Sequence, residues 1–206
     1  MKKIILIIAL LIAVSSSSIN AQSRSSISGI INFAWDMNLP LNNKDFISKF
    51  SLPGARLESR WFVNPNMSFG VEIEWFSMYE YAPTQTYHLE NLDITTDLYK
   101  YLYSVPLTAS LHYYPVTDGK AIPYVGLAAG AAYVEPSVYF NIYQITDDNW
   151  GFTFKPEIGC IVPFGDGANY GLSLSARYNY STNKFENLNF KNMQTISFQV
   201  GLALLR

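Results

Sequence analysis

Apolar and polar residues alternate with a period of two along most of the chain. Between residues 27 and 39 the odd positions are mostly large and apolar, and the even positions are mostly polar or small. This alternation is typical of a β-strand, because successive side chains of a strand point to opposite faces. The segments that show it are residues 27–39, 55–63, 69–81, 99–114, 123–134, 152–162, 170–181 and 196–205. The pattern predicts eight strands.

The lengths of these strands and of their connections predict a membrane barrel. Soluble strands average about five or six residues, whereas a tilted strand needs about 9–11 residues to cross a membrane. Connections 64–66, 115–121 and 163–169 are short, and connections 40–54, 82–98, 135–150 and 182–193 are long and polar. A soluble lipocalin-like barrel needs no such asymmetry. We therefore predict an all-β fold: an eight-stranded antiparallel up-and-down transmembrane β-barrel with a short-turn end and a long-loop end.

Aromatic residues on the predicted outer face gather near the strand ends. Amphipathic rings prefer the boundary between membrane and water, so this placement predicts two aromatic belts. Aromatic residues in the core of a β-sandwich would not segregate in this way. The predicted girdle comprises Trp35, Trp75, Tyr79, Tyr101, Tyr133, Phe152, Tyr178 and Tyr180 toward the long loops, and Trp61, Phe69, Tyr113 and Tyr170 toward the short turns.

The first 21 residues have the features of an export signal. Lys2 and Lys3 precede an apolar run at residues 4–14, and Ala21 stands at a suitable cleavage point. The run is shorter than the roughly 20 residues that a membrane-spanning helix needs. We expect residues 1–21 to be a cleaved signal peptide and residues 22–206 to form the barrel domain.

Composition excludes several classes of function. Lys and Arg number 14 against 16 Asp and Glu, a net charge of −2, so no basic excess indicates a nucleic-acid partner. A single Cys excludes an intrachain disulfide framework and a cysteine-based metal site. The sequence contains no phosphate-binding loop, zinc spacing or nucleotide fingerprint. We predict no cofactor and no metal.

Charged residues of opposite sign occupy the predicted inner face. An eight-stranded barrel is only wide enough for its own side chains, and an unpaired buried charge costs several kcal/mol. We therefore expect a hydrogen-bonded plug, with a narrow charge-lined pore as the alternative. A tight hairpin at 64–66 would set Arg56 opposite Glu74 and Arg60 diagonal to Glu72. The predicted lumen network is Asp36, Arg56, Glu58, Arg60, Glu72, Glu74, Lys100, Lys155, Glu157 and Arg177.

Three short motifs lie within the predicted strands: YSVPL at 103–107, PYVGLAAG at 123–130 and FKPEIG at 154–159. They resemble the small outer-membrane β-barrel family, the eight-stranded OmpA/OmpX-type domains of Gram-negative bacteria that are often described as the porin family. The resemblance covers essentially the whole mature chain and implies an outer-membrane location reached through the periplasm. Expected partners are outer-membrane lipids and lipopolysaccharide, the barrel-assembly machinery and periplasmic chaperones. Fold alone does not imply an activity.

Three functions stay open. The first is a non-enzymatic structural or surface-interaction role, in which four long loops contact an extracellular ligand or a host surface. The second is a narrow channel for ions or small solutes. The third is a lipid A-modifying enzyme, an activity that some eight-stranded barrels have, with His88 as the candidate base. No paired nucleophile can be named, so we predict no catalytic residue. The aromatic residues expected to be exposed in loops are Phe46, Phe50, Tyr87, Tyr139, Phe140 and Tyr143.

Overall fold

The computed structural model describes residues 27–89, 92–117, 119–140, 143–165, 167–185, 188 and 190–206, and the side chains of residues 87–94 are outside this description. The predicted signal peptide, residues 1–21, also lies outside the described residues and stays a prediction. The strands are β1 (Gly29–Pro40), β2 (Gly54–Asn64), β3 (Met67–Leu89), β4 (Leu92–Tyr113), β5 (Ile122–Phe140), β6 (Tyr143–Thr146), β7 (Asn149–Pro163), β8 (Tyr170–Phe185) and β9 (Phe190–Leu205).

Eight of these strands close into an antiparallel barrel. Each pairs with its neighbours in the order β1-β2-β3-β4-β5-β7-β8-β9, and β9 returns to β1. The predicted fold class is therefore confirmed. Among the described residues, no helix has the length and hydropathy needed to cross a membrane.

Strand β6 was not predicted, and the long connections contain more strand than the sequence pattern indicates. It pairs with the end of β5 inside connection 135–150, from Ser137 opposite Thr146 to Phe140 opposite Tyr143. Strands β3 and β4 likewise continue through most of connection 82–98 as a paired hairpin, and β8 and β9 extend into connection 182–193. Polar residues indicate contact with water. They do not prevent pairing of Thr- and Tyr-rich segments, which are good strand formers.

The turn between β2 and β3 is the predicted tight hairpin. Strand β2 ends at Asn64 and β3 begins at Met67, which leaves two residues between them. The resulting register sets Arg56 opposite Glu74 and Arg60 opposite Gly70, so that Glu72 is diagonal to Arg60. This hairpin fixes which face of each strand points into the barrel, because a shift of one residue would turn every side chain around.

Candidate functional site

The barrel interior consists of a charged layer between two apolar clusters. The charged layer comprises Arg56, Arg60, Lys155, Arg177, Glu58, Glu72, Glu74 and Glu157, all of them buried. The short-turn cluster comprises Ile30, Tyr114, Ile122, Tyr124, Ile161, Ala203 and Leu205. The long-loop cluster comprises Phe46, Ile47, Phe76, Met78, Leu102, Ala132, Val134, Phe185, Phe190 and Met193.

Alternate positions on four strands build the charged layer. Strands β2, β3, β7 and β8 supply it, and its members are two or four residues apart on β2, β3 and β7. Side chains at this spacing share one face of a strand. Four cations meet four carboxylates, so the layer carries no net charge.

Arg56 lies at the centre of the layer and binds three carboxylates. Its Nε donates to Glu72 Oε2 at 2.9 Å, and its Nη2 donates to Glu58 Oε2 at 2.7 Å. Nη1 and Nη2 each donate to a carboxylate oxygen of Glu157 at 3.1 Å. The amide oxygen of Gln199 accepts a further hydrogen bond from Nη1. The planar fork of donors in an arginine suits this convergence, which a lysine could not reproduce.

Arg177 and Lys155 neutralise the other side of the layer. Arg177 Nη1 donates to Glu72 Oε1 at 2.8 Å and to Glu74 Oε2 at 3.2 Å. Its Nη2 donates to Glu72 Oε2 at 2.9 Å and also to Glu157. Lys155 Nζ donates to Glu74 Oε2 at 2.7 Å. Each of these carboxylates therefore contacts at least two cations.

Arg60 joins the charged layer to the short-turn cluster. Its Nη2 lies 2.7 Å from Glu58 Oε2, and its Nη1 donates to the hydroxyl of Tyr114 at 3.1 Å. The guanidinium carbon lies 4.4 Å from the ring centre of Tyr124, in the range of a cation–π contact. The Tyr124 hydroxyl in turn donates to Glu157 Oε1 at 2.8 Å.

Hydroxyl groups add hydrogen bonds to Glu72 and Glu58, beside those that the cations donate. Thr108 Oγ1 donates to Glu72 Oε1 at 2.6 Å, and Ser110 Oγ donates to Glu58 Oε1 at 3.0 Å. His112, a buried inner residue near the short turns, places its Nε2 3.5 Å from Glu58 Oε1. Buried charges need both pairing and hydrogen bonds to persist in a low-dielectric interior, and Glu58, Glu72 and Glu157 are each paired with a cation and accept hydrogen bonds at both carboxylate oxygens.

The strand register did not predict the ion pairs correctly. Arg56 and Glu74 face each other across β2 and β3, yet the guanidinium of Arg56 contacts Glu58, Glu72 and Glu157. Glu157 belongs to β7 on the far side of the barrel. Long side chains in a narrow lumen extend across it, so partners on distant strands compete with the neighbour in the sheet.

Two predicted members of the lumen network lie outside the charged layer. Asp36 is buried and accepts hydrogen bonds from Gln199 Nε2 at 2.8 Å and from Asn38 Nδ2. Lys100 is only partly buried, and its Nζ donates to the carbonyl oxygen of Asp45 at 2.6 Å. Lys100 lies opposite Glu80 and Val138 in the sheet, level with the long-loop cluster. Its assignment to the lumen network is therefore corrected: it stabilises the connection between β1 and β2.

That connection, loop 1 (residues 41–53), folds into the long-loop end of the barrel. Phe46 and Ile47 are buried in the long-loop cluster, which corrects the prediction of Phe46 as an exposed aromatic residue. The fold of the loop begins at Asn43, whose positive φ of 51° is a left-handed conformation that Asn tolerates well. The carbonyl oxygen of Asn43 accepts from the backbone N–H of Phe46 at 2.9 Å.

Side chains from loop 1 and from the strands hold the loop in place. Asn42 Oδ1 accepts from the backbone N–H of Gln194 at 2.8 Å. Glu80 accepts from the backbone N–H and the hydroxyl of Ser48. Ser51 and Asn38 exchange backbone hydrogen bonds of 2.8 Å. Of the other predicted loop aromatics, Phe50, Tyr139 and Tyr143 are exposed, Phe140 is partly exposed, and the side chain of Tyr87 is outside the described residues.

The predicted girdle residues all lie on the outer face, where none is buried. Trp61 and Phe69 stack near the short turns with ring centres 5.3 Å apart. The girdle prediction did not include Tyr81, Tyr99 and Tyr103, which are exposed on β3 and β4. Their odd positions continue the outward parity of both strands, so the signal was present in the sequence.

Comparison with known proteins adds the family. The model of the family described as outer membrane protein beta-barrel domain matches residues 5–204. The chain belongs to this family. A comparison with curated protein sequences gave no match. The protein is accordingly placed in the bacterial outer membrane, as the sequence predicts.

Solved structures with this barrel fold come from several bacteria. Neisserial surface protein A is 19% identical, with a TM-score of 0.53 over 86% of this chain and 96% of that chain. The outer membrane protease OmpT from Escherichia coli is 9% identical, with a TM-score of 0.51 over 89% of this chain and 100% of that chain. The attachment invasion locus protein of Yersinia pestis is 14% identical, with a TM-score of 0.45 over 86% and 95% of the two chains. At these identities the likeness to the first two structures shows the fold alone.

No metal centre is assembled in the described part of the chain. The described residues contain no group of three or more His, Cys, Asp and Glu side chains suited to a metal ion. The backbone of His88 pairs with Asp93 in the hairpin of β3 and β4, and its side chain lies outside the described residues. The candidate role of His88 as a base therefore stays untested.

Proposed function

We propose that this outer-membrane barrel does not conduct solutes and serves as a rigid scaffold that presents its long-loop end at the cell surface. The observation that carries the proposal is the interior: a charge-balanced layer closed by an apolar cluster on either side. The long-loop end is then the surface available to an extracellular ligand or a host surface.

Both parts of the interior oppose the passage of ions. An ion entering the charged layer would have to displace hydrogen bonds between buried opposite charges, and breaking such a pair costs about 3–5 kcal/mol. The two apolar clusters exclude water from the lumen above and below that layer, and apolar constrictions are known to block conduction by dewetting. For ions to cross the barrel, the charged layer and the apolar clusters would both have to rearrange.

The long-loop end supports the second half of the proposal. The paired ends of β3 and β4 and the short strand β6 give that end regular structure, and its connections carry exposed aromatic side chains at Phe50, Tyr139 and Tyr143. Binding residues are commonly found on connections that a rigid scaffold positions. The short-turn end offers shorter connections for contact with a partner.

Single-channel conductance in a planar bilayer tests the proposal. The protein is first checked for the heat-dependent gel shift of a folded barrel, and an open porin in the same bilayer serves as the positive control. We expect the folded protein to give no reproducible conductance steps. Reproducible steps that change in size with Glu72→Gln or Arg60→Gln would show a charge-lined channel and overturn the proposal.

A further inference from the structure

Six tyrosines form a continuous patch on the outside of β3, β4 and β5 near the long-loop end. Their rings contact one another: Tyr81 with Tyr99 at 4.9 Å, Tyr79 with Tyr101 at 5.0 Å, and Tyr101 with Tyr139 at 5.6 Å between ring centres. We call this patch the tyrosine face. It comprises Tyr79, Tyr81, Tyr99, Tyr101, Tyr103 and Tyr139.

The position of the tyrosine face along β4 places it at the outer edge of the membrane. The outward residues of β4 between Tyr113 and Tyr103 are Leu111, Ala109, Leu107 and Val105. Ten residues of a tilted strand rise about 25 Å, which is about the height of the apolar band of an outer-membrane barrel. Tyr103 therefore marks the outer boundary of that band.

Tyr101 and Tyr99 lie two and four residues beyond this boundary, opposite Tyr79 and Tyr81. At the same rise they stand about 5 and 10 Å outside the apolar band. The acyl chains do not extend to this height, so most of the tyrosine face meets the headgroup layer of the outer leaflet. It is continuous with the lipid-facing surface below it.

The chemistry of the face favours sugars over phosphate. Its outward residues include no Lys or Arg among the described residues. Two carboxylates lie at its edges: Asp97, two residues from Tyr99 on β4, and Glu135, opposite Tyr103. Recognition of phosphate normally uses Arg or Lys. Aromatic rings instead stack against the C–H faces of sugars, and hydroxyl and carboxylate groups hydrogen-bond to sugar hydroxyls.

We propose that the tyrosine face binds the saccharide headgroup of lipopolysaccharide in the surrounding outer leaflet. Tyr81, Tyr99 and Tyr101 would stack against the sugar rings, and Asp97 and Glu135 would accept hydrogen bonds from sugar hydroxyls at the edges of the face. The inference rests on the outer-membrane location, on the height of the face and, from the proposed function, on the long-loop end facing the cell surface. It does not depend on whether the lumen conducts.

Lipid retention measured by native mass spectrometry tests this inference. The folded protein in detergent is incubated with rough lipopolysaccharide, which carries lipid A and inner-core sugars, or with phosphatidylglycerol, which has no sugar. The test variant is Tyr81→Ser/Tyr99→Ser. The matched control is Tyr113→Ser/Tyr170→Ser, which removes two exposed tyrosines at the short-turn end. Tyr81→Phe/Tyr99→Phe keeps the rings and removes only the hydroxyls.

We expect the serine variant to bind rough lipopolysaccharide about tenfold more weakly, because two stacking contacts are lost. The affinity of the control for lipopolysaccharide should stay within about twofold of that of the unchanged protein. The affinity of the phenylalanine variant should stay within about threefold, because its rings still stack on sugars without the hydroxyls. Phosphatidylglycerol retention should be the same for all four proteins. If the double serine variant lacks the heat-dependent gel shift, the single Tyr81→Ser variant replaces it.

Two results would overturn the inference. One is equal retention of lipopolysaccharide by the serine variant and the unchanged protein. The other is a parallel loss of both lipids, which would show a general contact with lipid rather than with sugar. The unchanged protein could also form a dimer that the serine variant does not form, while both retain lipopolysaccharide equally. That outcome would overturn the inference as the first result does, and it would show that the face binds a second copy of the chain.

Discussion

The two apolar clusters close the same lumen but are built differently. The short-turn cluster is drawn from the barrel strands and the residues next to them, such as Ile161 on β7 and Tyr124 on β5. The long-loop cluster is completed by Phe46 and Ile47, which come from loop 1 and reach the lumen only because that loop folds inward. One end is therefore closed by the barrel itself, and the other by a segment added to it.

The clusters also differ in how they join the charged layer. In the short-turn cluster the hydroxyls of Tyr114 and Tyr124 bond directly to Arg60, and Tyr124 also bonds to Glu157. Gly159 leaves room for Tyr124, because a Cβ there would lie 2.4 Å from its ring. On the other side, polar groups outside the charged layer intervene: Asp36 accepts from Gln199, and Asn179 Nδ2 donates to Thr195 and Ser197. We infer that the short-turn end unfolds with the barrel and that the long-loop end opens separately.

Breaking the charged layer should have the largest effect, because it leaves buried carboxylates without their counter-charge. Arg177→Met removes the donors to Glu72, Glu74 and Glu157 and leaves these buried carboxylates short of positive charge. We expect the free energy of unfolding to fall by about 3–5 kcal/mol. Urea titration of the barrel in lipid vesicles, followed by the gel shift, measures the change.

Lys184→Met is the matched control for the charged layer, since Lys184 is an exposed cation on the same strand, β8. It should change the free energy of unfolding by less than about 0.5 kcal/mol. A similar, small effect of both substitutions would mean that the lumen charges contribute little to stability. In that case, the bonds from Arg60 and Glu157 to the short-turn cluster would not make that end more stable than the long-loop end.

A cavity in the short-turn cluster should have the next largest effect. Ile161 is 1% exposed, and Ile161→Ala removes packing that nothing nearby can replace. We expect a loss of about 2–4 kcal/mol in the same urea titration, measured as unfolding of the whole barrel. Ile158→Ala, at a lipid-facing position of β7 that is 63% exposed, should cost less than half as much, because it creates no internal cavity. Equal losses would contradict a tightly packed short-turn end.

Alternation with a period of two predicted the part of the interior that strands build. Arg56, Glu72 and Glu157 were assigned inward from parity alone, and the narrowness of an eight-stranded barrel predicted that such charges would be paired. The identity of the partners was not predictable in this way. A guanidinium on β2 reaches a carboxylate on β7, and that contact depends on side-chain reach across the lumen, which no local pattern contains.

The long-loop cluster shows where the sequence pattern stops being informative. Phe46 stands in a polar connection with no alternation, and its burial depends on contacts with distant segments. Asn43, for example, donates through its side chain to the carbonyl oxygen of Asn192, which is far away in the sequence. Such a hydrogen bond requires β1 and β9 to lie side by side, as they do in the closed barrel. Loop polarity therefore predicted exposure for a residue that the complete barrel buries.

Substitution in loop 1 should have the smallest effect on global stability and the clearest local one. Phe46→Ala weakens the packing of loop 1 against Phe190 and Phe185, whereas the strands of the barrel keep their hydrogen bonds. We expect the free energy of unfolding to fall by less than about 1 kcal/mol, because the loop can open as a local unit. We also expect buried side chains of the long-loop cluster to become accessible to water.

Cysteine labelling separates this local opening from global unfolding. In a Cys160→Ser background, Met193→Cys introduces a single thiol at a buried position of the long-loop cluster. A water-soluble maleimide should label it about tenfold faster when Phe46→Ala is added, since local opening governs access to a buried group. Phe50→Ala, at an exposed position of the same loop, should leave the rate unchanged. If Phe46→Ala lowers the stability of the whole barrel as far as Ile161→Ala does and leaves labelling slow, loop 1 is part of the cooperative core, and the two ends of the barrel do not differ in the way argued above.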